Sequence, residues 1–402
     1  MAKSLVGIVR SSVQLCCVTI TVAAMPAVSS AQTGGGFSGS WQLYKVSTGQ
    51  NLGVYATAAA CIQATATQPS GTLSCKPIYG GSAPTPTAPT GVHPGLQVDP
   101  STLPDGSAGY ANDRLLPTSQ IAPLTDVGAF RTTCAFSHMA YDDPIVSPGR
   151  PGAAHLHTFF GNTGTNAAST AESIRSTGNS TCRGGTINRS AYWVPTMVDT
   201  ATQRAVAPAY ANFYYKQGYA LNPPSIIKAL PAGLRMIAGN AQNAAPGARD
   251  ASFHCFGGPN HSNDQYGSSI PNCDVGAQVI QSIHFPQCWD GRNLDSPDHK
   301  SHMSYPVRQT SWPYLFSCPS SHPVAIAEIS FNIAYMVPTR DAARNWRLSS
   351  DVYDRSLPGG YSSHGDWFNG WKKDVSDIWN AACVQTRRDC FSHLLGDGRM
   401  TY

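Results

Sequence analysis

The chain has 402 residues and a formal net charge of +4, from 27 basic and 23 acidic residues. Charged residues make up 12% of the chain, about half of their usual share in globular proteins. So weak a charge gives no electrostatic case for binding nucleic acid. It favours a partner that is small, or neutral and rich in hydroxyl groups.

Residues 1–31 have the organisation of a secretory signal peptide. Lys3 and Arg10 precede an apolar run over residues 13–28, and small residues surround Ala31, where we expect cleavage. A membrane anchor is the alternative, but the run is short and a proline interrupts it. We therefore expect a secreted protein, extracellular or periplasmic, with no stable membrane insertion once the signal is removed.

The cysteines support export. Two of the 12 lie in the signal peptide, and the remaining even number predicts disulfides in an oxidising compartment. These residues are Cys61, Cys75, Cys134, Cys182, Cys255, Cys273, Cys288, Cys318, Cys383 and Cys390. We predict Cys61–Cys75 and Cys383–Cys390 as bridges, while the spacing leaves the other pairings open. No CxxC pair occurs, which disfavours a cysteine-bound zinc ion.

Changes in composition divide the rest of the chain into three parts. Residues 37–79 combine strand-like alternation at Trp41 with a helix-forming stretch and a returning strand, which predicts a small disulfide-closed α+β module. Residues 80–122, rich in proline, threonine and glycine, predict a linker. Residues 123–402 form the predicted large domain.

The large domain has the pattern of a mainly β protein. Short β-rich runs such as ANFYYKQGY, AQVIQSIHF and VAIAEISFNIAYMV are separated by glycine, proline and asparagine clusters. This pattern predicts an antiparallel sandwich or a jelly-roll-like fold with long loops and a few short helices. One helix is expected in KKDVSDIWNAACVQT, where apolar residues recur with helical spacing.

The first stretch with chemical potential is AAHLHTFFGN. In a strand, His155 and His157 would point to the same face, because successive side chains alternate. Two adjacent imidazoles suit metal binding or proton transfer. The alternative is one buried structural histidine and one exposed histidine.

The second stretch is FPQCWDGRNLDSPDHKSHMSYP, which is too polar for a core strand and poor in helix formers. Asp290 and Asp298 are candidate acids, although stabilisation of turns by aspartate is the simpler reading for Asp290 and Asp295. His302 precedes a possible strand that could aim it inward. Trp289 is a candidate substrate contact.

The third stretch, GGYSSHGDWFNGW, places His364 and Asp366 two residues apart, a spacing that suits a shared cation or a carboxylate-oriented imidazole. Trp367 and Trp371 offer flat faces for sugar rings, or belong to the core. In PAGLRMIAGN, Arg235 is a lone cation in an apolar run. It is expected to pair with a carboxylate, with binding of a substrate anion as the alternative.

Seven motifs in this order resemble the family catalogued as domain of unknown function 1996. They are DDPIVSPG, HLHTFFGN, SAYWVP, GLRMIAGN, FPQCWDGRNLDSPDHKSHMSYP, CPSSHPV and GYSSHGDWFNGW, within Val127 to Cys383. The resemblance implies a secreted protein of bacteria or fungi, in a family whose members are often joined to carbohydrate-binding modules. The resemblance implies no settled reaction, so no catalytic residue of the family can be assigned to a position in this sequence.

The leading hypothesis is a secreted carbohydrate-active protein that cleaves a polysaccharide or cell-wall glycan, as a hydrolase or a lyase. Its predicted site contains His155, His157, His302, His364 and Asp366, with Asp290 and Asp298 in reserve. The first five are also candidate ligands for a divalent metal ion. A non-catalytic glycan-binding or wall-associated protein, and a secreted metal-binding protein, are the alternatives.

Overall fold

The computed structural model describes residues 40–45, 51–55 and 73–78, of which only the backbone is described, and 95–402 except 219, 248–249, 259–265, 309 and 311–315. The expected signal peptide, the helix of the small module and the Cys61–Cys75 bridge lie outside the described residues. The described part of the module is a three-stranded antiparallel sheet in the order β2-β1-β3.

The strands and helices have the following bounds. The strands are β1 Ser40–Lys45, β2 Asn51–Tyr55, β3 Leu73–Ile78, β4 Leu115–Pro117, β5 Ala129–Cys134, β6 Phe136–Ala140, β7 His157–Gly161, β8 Ala191–Pro195, β9 Met197–Asp199, β10 Arg204–Ala205, β11 Tyr210–Lys216, β12 Arg235–Gly239, β13 Ala251–Phe256, β14 Gln278–His284, β15 Cys288–Trp289, β16 Met303–Ser304, β17 Val307–Arg308, β18 Phe316–Ser317, β19 Val324–Ala325, β20 Glu328–Met336, β21 Trp346–Leu348, β22 His364–Phe368 and β23 Arg399–Thr401. The helices are α1 Ala171–Ser176 and α2 Lys373–Trp379, with 3-10 turns at Pro100–Thr102, Pro224–Ile226 and Ala342–Asn345 and a π turn at Asn380–Val384.

Two five-stranded antiparallel sheets form the large domain. Sheet A has the order β13-β14-β20-β11-β5, and sheet B has the order β12-β22-β8-β7-β6. The sheets pack face to face: the Tyr192 ring of sheet B stacks on Phe213 of sheet A at 3.8 Å, and its hydroxyl lies 2.6 Å from that of Tyr215. The predicted mainly β, antiparallel sandwich is confirmed.

The burial pattern of each sheet follows from its neighbours. In sheet A, β11 alternates between buried and half-buried positions, with Phe213 and Tyr215 in the core. This is the pattern of a sheet with one solvated face. In sheet B, all residues of β7, β8 and β22 are buried. A second apolar cluster, which includes Phe159, Trp193 and Phe368, packs on the sheet B face that points away from sheet A.

The predicted C-terminal helix is confirmed as α2, which continues through the π turn and buries Val375, Trp379 and Cys383. The predicted Cys383–Cys390 bridge is also present. The structure adds Cys134–Cys182, Cys255–Cys273 and Cys288–Cys318. Four disulfides fit an oxidising compartment.

Part of the segment that the sequence assigns to a linker contacts the large domain. Leu96 and Val98 belong to the main core, and β4 pairs with the C-terminal strand β23. The exact domain boundaries stay a prediction. Among the helices in the described residues, none is long and apolar enough to span a bilayer.

Candidate functional site

Three neighbouring strands of sheet B bring two histidines together. Strand β8 lies between β7 and β22 and pairs antiparallel with both, so β7 and β22 run in the same direction. Trp193 of β8 pairs with Phe159 on one side and with Asp366 on the other. Two residues back along each outer strand lie His157 and His364. They therefore occupy the same end and the same face of the sheet.

A third imidazole comes from the loop before β7. The ring centroids of His155 and His157 are 4.2 Å apart, and those of His155 and His364 are 5.0 Å apart. The Nε2 atoms of His155 and His364 lie 3.2 Å from each other. One ring nitrogen of each histidine lies within 4.8 Å of one ring nitrogen of each of the other two. Three imidazoles thus converge on one point.

Backbone carbonyl groups fix the tautomers of two of these histidines. His157 Nδ1 lies 2.9 Å from the backbone oxygen of Asp142, and His364 Nδ1 lies 2.8 Å from that of Ser362. A carbonyl oxygen only accepts, so each Nδ1 carries the proton and each Nε2 carries the lone pair. His157 Nε2 is buried and makes no hydrogen bond with the described residues. Metal-ligating histidines are commonly oriented by this kind of bond.

Two carboxyl groups complete the site. Side-chain atoms of Asp143, His157 and Asp366 also lie within 4.8 Å of one another. Asp143 Oδ1 accepts hydrogen bonds from the backbone N–H groups two and three residues later, at 2.8 and 2.9 Å. Asp366 Oδ2 is buried, lies 4.0 Å from His364 Nε2 and has no hydrogen-bond partner in the described part of the chain. We call Asp143, His155, His157, His364 and Asp366 the His/Asp cluster.

Burial gives every member of the His/Asp cluster a shifted pKa. It lowers the pKa of His157 to about 4 and that of His364 to about 3. It lowers that of His155 well below the usual range, and the neighbouring imidazoles lower it further. Burial raises the pKa of Asp143, and it raises that of Asp366 well above normal, with the charge of Asp143 as a second cause. A bound cation would favour neutral imidazoles and ionised carboxylates together.

The spacing fits a transition-metal ion. Zinc–nitrogen bonds of about 2.0–2.1 Å at a tetrahedral angle put two ligand nitrogens about 3.3 Å apart. The Nε2 atoms of His155 and His364 are 3.2 Å apart. Imidazole suits zinc, copper, iron and nickel, and a carboxylate can add a fourth ligand. His155 is partly exposed, whereas the other four members of the His/Asp cluster are buried.

His302 does not join this site, contrary to the sequence-based prediction. Its ring is buried, Nε2 donates to the backbone oxygen of Arg235 at 2.7 Å, and Nδ1 lies at hydrogen-bond distance, 2.8 Å, from Ser296 Oγ. With both nitrogens engaged, His302 fixes its loop against β12. The Arg235–Asp295 ion pair at 3.0 Å fixes the same loop, which agrees with the expected pairing of Arg235.

The same loop supplies a cation that the sequence did not single out. Lys300 Nζ donates to the backbone oxygen of Gly239 at 2.7 Å, and Gly239 pairs with His364 across the sheet. The positive charge of Lys300 acts to lower the pKa of both His364 and Asp366. The loop over residues 290–302 therefore presents a lysine to the His/Asp cluster, where a histidine had been expected.

The two reserve aspartates stabilise turns. Asp290 Oδ1 accepts from the backbone N–H groups of Arg292 and Asn293 at 2.8 and 2.9 Å. Asp298 Oδ1 accepts from the backbone and hydroxyl of Ser301. These bonds lower the pKa of Asp298 far below its usual range. The simpler reading of the sequence holds for Asp290, the structure gives Asp298 a similar role, and neither belongs to the His/Asp cluster.

The tryptophans are not arranged as a sugar-binding platform. Trp367 is 0% exposed and Trp371 is 2% exposed, because both face the main core between the sheets. Trp371 Nε1 donates to the Tyr215 hydroxyl there at 2.9 Å. Trp289 is partly buried and donates to the backbone oxygen of Asn293 at 2.6 Å. Buried rings cannot stack on a ligand, so the expected contacts by Trp367 and Trp371 are wrong.

A polar cavity lies at the edge of sheet B where β12 ends and β22 begins, and no member of the His/Asp cluster lines it. Its volume is about 330 Å³, and Gly239 and Ser363 form the part of its wall next to His364. Polar residues dominate the remaining wall, namely Asn240, Asn243, Asp250 and Ser268. Gly239 adopts φ of 79°, and a Cβ there would meet the Ser363 backbone oxygen at 2.3 Å. Glycine therefore permits the close contact between β12 and β22 at the cavity edge.

Asp143 is a member of the His/Asp cluster that sequence reasoning missed. It was visible in DDPIVSPG, but an aspartate before a proline is typical of turns, and nothing local linked it to the distant histidines. Asp142 contributes a backbone oxygen to His157, and its side chain accepts from the backbone N–H of Gly152 at 2.9 Å. Such a role leaves no signal in the residue type.

Comparison with known proteins yields one family. The family described as domain of unknown function (DUF1996) matches residues 143–371, which is more than half of the chain and includes the whole His/Asp cluster. The searches of curated proteins and of solved structures gave no match.

Proposed function

This chain belongs to the domain of unknown function 1996 family, and we propose that it is a metal-dependent carbohydrate-active protein that cleaves a polysaccharide or cell-wall glycan. The observation that carries the proposal is the convergence of three imidazoles within 4.8 Å. Two of them have Nδ1 bound to backbone oxygens, so their Nε2 lone pairs are available to a cation.

The residues of the His/Asp cluster have distinct roles in this proposal. His155, His157 and His364 hold the ion, and the unpaired Oδ2 of Asp366 is either a fourth ligand or a proton acceptor. A divalent ion in such a site polarises oxygen atoms and lowers the pKa of a water molecule. Asp143 is held by two backbone N–H groups, and Lys300 offsets negative charge beside Asp366.

A glycan substrate is supported by composition and by the neighbouring cavity. With 12% charged residues, the surface depends on uncharged polar groups for solubility. The cavity at the edge of β12 and β22 is lined by the side chains of Asn240, Asn243 and Ser268 and by the carboxylate of Asp250. Amides, hydroxyls and carboxylates all bind sugar hydroxyls by hydrogen bonding.

Metal analysis of the purified protein tests the centre itself. We expect one equivalent of a divalent transition metal in the wild type, and less than a tenth of an equivalent in His157→Ala and His364→Ala. His393→Ala is the matched control, since that histidine lies outside the His/Asp cluster, is partly exposed and bonds Gln120. A wild type that neither contains nor takes up metal at micromolar concentrations would refute the centre.

Product release tests the reaction. The wild type, the chelated protein and His157→Ala are incubated with a panel of plant, fungal and bacterial wall polysaccharides, and new reducing ends are measured. We expect release only by the metal-loaded wild type and by His393→Ala. Unsaturated sugar ends would identify a lyase, and their absence a hydrolase. Equal release of reducing ends by the chelated and the metal-loaded protein would refute the metal-dependent mechanism.

A second candidate function is metal binding without turnover. It is favoured by burial, since Asp143, His157, His364 and Asp366 are each at most 4% exposed. Tight, stoichiometric metal with no product from any polymer would be the result expected for this function. A non-catalytic glycan-binding role through Trp367 and Trp371 has lost its support, because both rings are buried.

A further inference from the structure

The outer face of sheet A carries a row of small polar residues. The strand registers align Ser252, Ser282, Asn332, Asn212 and Thr133 directly opposite one another across five strands. Their chain neighbours, such as Phe213 and Phe331, point into the core, so the row points away from it; Ser282 is buried, and the other four members are partly exposed. Four spacings between strands of about 4.8 Å make the row about 19 Å long.

Hydrogen bonds within the row fix its two amides. Ser282 Oγ donates to Asn332 Oδ1 at 2.7 Å, and Thr133 Oγ1 donates to Asn212 Oδ1 at 2.6 Å. Each amide oxygen is therefore occupied by a hydroxyl, and each amide nitrogen remains a donor. Both asparagines are partly exposed. The row thus presents pre-oriented donors at a regular spacing.

Aromatic side chains stand on both sides of the row. Tyr210 and Tyr214 lie two residues before and after Asn212 on β11, so they share its face of the sheet. Tyr266 is 64% exposed, and its ring lies 4.3 Å from that of His254. These larger side chains flank the smaller residues and form a groove. A cavity of about 220 Å³, lined in part by Tyr214, Tyr266 and Asn332, lies within it.

The charges on this face neutralise one another. Lys216 pairs with Glu328 at 3.1 Å, and the same carboxylate lies 3.6 Å from His284. Arg131 pairs with Asp389 at 3.1 Å. The groove therefore offers amides, hydroxyls and aromatic rings without a net charge to attract an ionic ligand. Aromatic rings and oriented amides together suit a sugar chain, whose C–H faces stack while its hydroxyls bond.

We propose that the outer face of sheet A binds a neutral polysaccharide chain that lies across the strands, along the row from Ser252 to Thr133. This surface is on sheet A, whereas the His/Asp cluster is on sheet B, and binding there requires no metal. It goes beyond the proposed cleavage, because it would hold polymer whether or not the protein cuts it.

Affinity electrophoresis tests the groove. The wild type is run in native gels containing hydroxyethyl cellulose, laminarin, galactomannan, arabinoxylan or pullulan, with polygalacturonate as an acidic comparison. We expect at least one neutral polymer to retard the wild type. The double variant Asn212→Ala with Asn332→Ala should bind it at least about tenfold more weakly. Asn345→Ala, the same change at an exposed asparagine outside both cavities, should bind like the wild type.

Two further variants keep the result interpretable. Tyr214→Ala should also weaken retardation, and it serves as the second test if the double variant has a lowered melting temperature. His157→Ala should lose product release but keep full retardation, which separates the groove from the His/Asp cluster. The proposal is overturned if no neutral polymer retards the wild type, if both groove changes leave retardation unchanged, or if polygalacturonate is bound more strongly.

Discussion

The Nε2 atoms of His155 and His364 lie 3.2 Å apart, although 209 positions separate the two residues in the chain. The hydrogen bond from His364 Nδ1 to Ser362 directs the His364 lone pair toward this contact. His157 completes the triangle from the start of β7. Three imidazoles so close together, two of them fully buried, destabilise one another when protonated, so the arrangement favours a state in which their lone pairs face a cation.

Asp366→Asn tests whether the unpaired carboxylate belongs to the metal centre. The amide preserves the shape of the side chain but removes the charge, so we expect affinity for zinc to fall at least about tenfold. Competition with a chromogenic chelator measures this affinity. The control is Asp389→Asn, which alters a surface carboxylate paired with Arg131. Equal affinities for both variants and the wild type would exclude Asp366 from the centre.

Lys300→Gln tests the electrostatic role of the loop over residues 290–302. Lys300 Nζ is held at Gly239, and its charge acts on Asp366 and His364. Removing one positive charge near a bound cation should raise metal affinity about threefold or more. The gain should shrink as salt is added, since ions screen the repulsion.

Lys372→Gln is the matched control for this change, because Lys372 pairs with Asp113 at 2.5 Å and not with the His/Asp cluster. Isothermal titration with zinc at two salt concentrations gives the comparison. Weaker binding by Lys300→Gln than by the wild type would contradict the expected repulsion.

His138 should make the protein sensitive to acid. Burial lowers its pKa to about 4, although Thr165 and Asp142 act in the opposite direction. Between the unfolded value near 6.5 and about 4, the unfolded chain takes up a proton that the folded chain does not. The free energy of unfolding therefore decreases as the pH is lowered through this window, by up to about 1.4 kcal/mol per pH unit.

Denaturant unfolding of the wild type and His138→Gln between pH 8 and 4.5 measures this contribution. The variant should be less stable at pH 8, because it lacks the ring that stacks on Phe159. Its stability should then decline less steeply with acid than that of the wild type. Parallel pH profiles would show that His138 becomes protonated in the folded state as readily as in the unfolded state.

The disulfides should stabilise the fold unequally. Cys134–Cys182 joins residues 48 positions apart, whereas Cys383–Cys390 joins residues 7 apart. In the chain-entropy model the longer loop contributes about 4 kcal/mol and the shorter about 2.5 kcal/mol. Replacing each pair with alanine and comparing the free energies of unfolding tests the order. A larger loss from the Cys383–Cys390 pair would reverse the prediction.

Local periodicity predicted several parts of the structure for a clear reason. Alternation along a strand puts residues two apart on one face, so the pair His364 with Asp366 in β22 could be proposed from its spacing, whereas His155 reaches His157 from the loop before β7. Helical spacing located α2 in the same way. The short loop between Cys383 and Cys390 made that bridge foreseeable. These features depend only on neighbouring residues.

Long-range pairing decided the remainder. His302 looked equivalent to the other histidines in sequence, but both of its ring nitrogens form hydrogen bonds, one with Ser296 Oγ and one with the backbone oxygen of Arg235. Trp367 lies one residue from Asp366, and this step of one position puts its ring on the opposite face, inside the core. Its residue type alone did not show which face would be buried.

The sequence by itself determined an antiparallel β protein with paired cysteines, because alternation and turn residues act over a few positions. Only the tertiary structure decided that β8 lies between β7 and β22, which makes two distant histidines neighbours. It also placed Asp143 beside them and aligned five polar residues across sheet A. Strand order and register join residues far apart in the chain, and no short stretch of sequence specifies such a pairing.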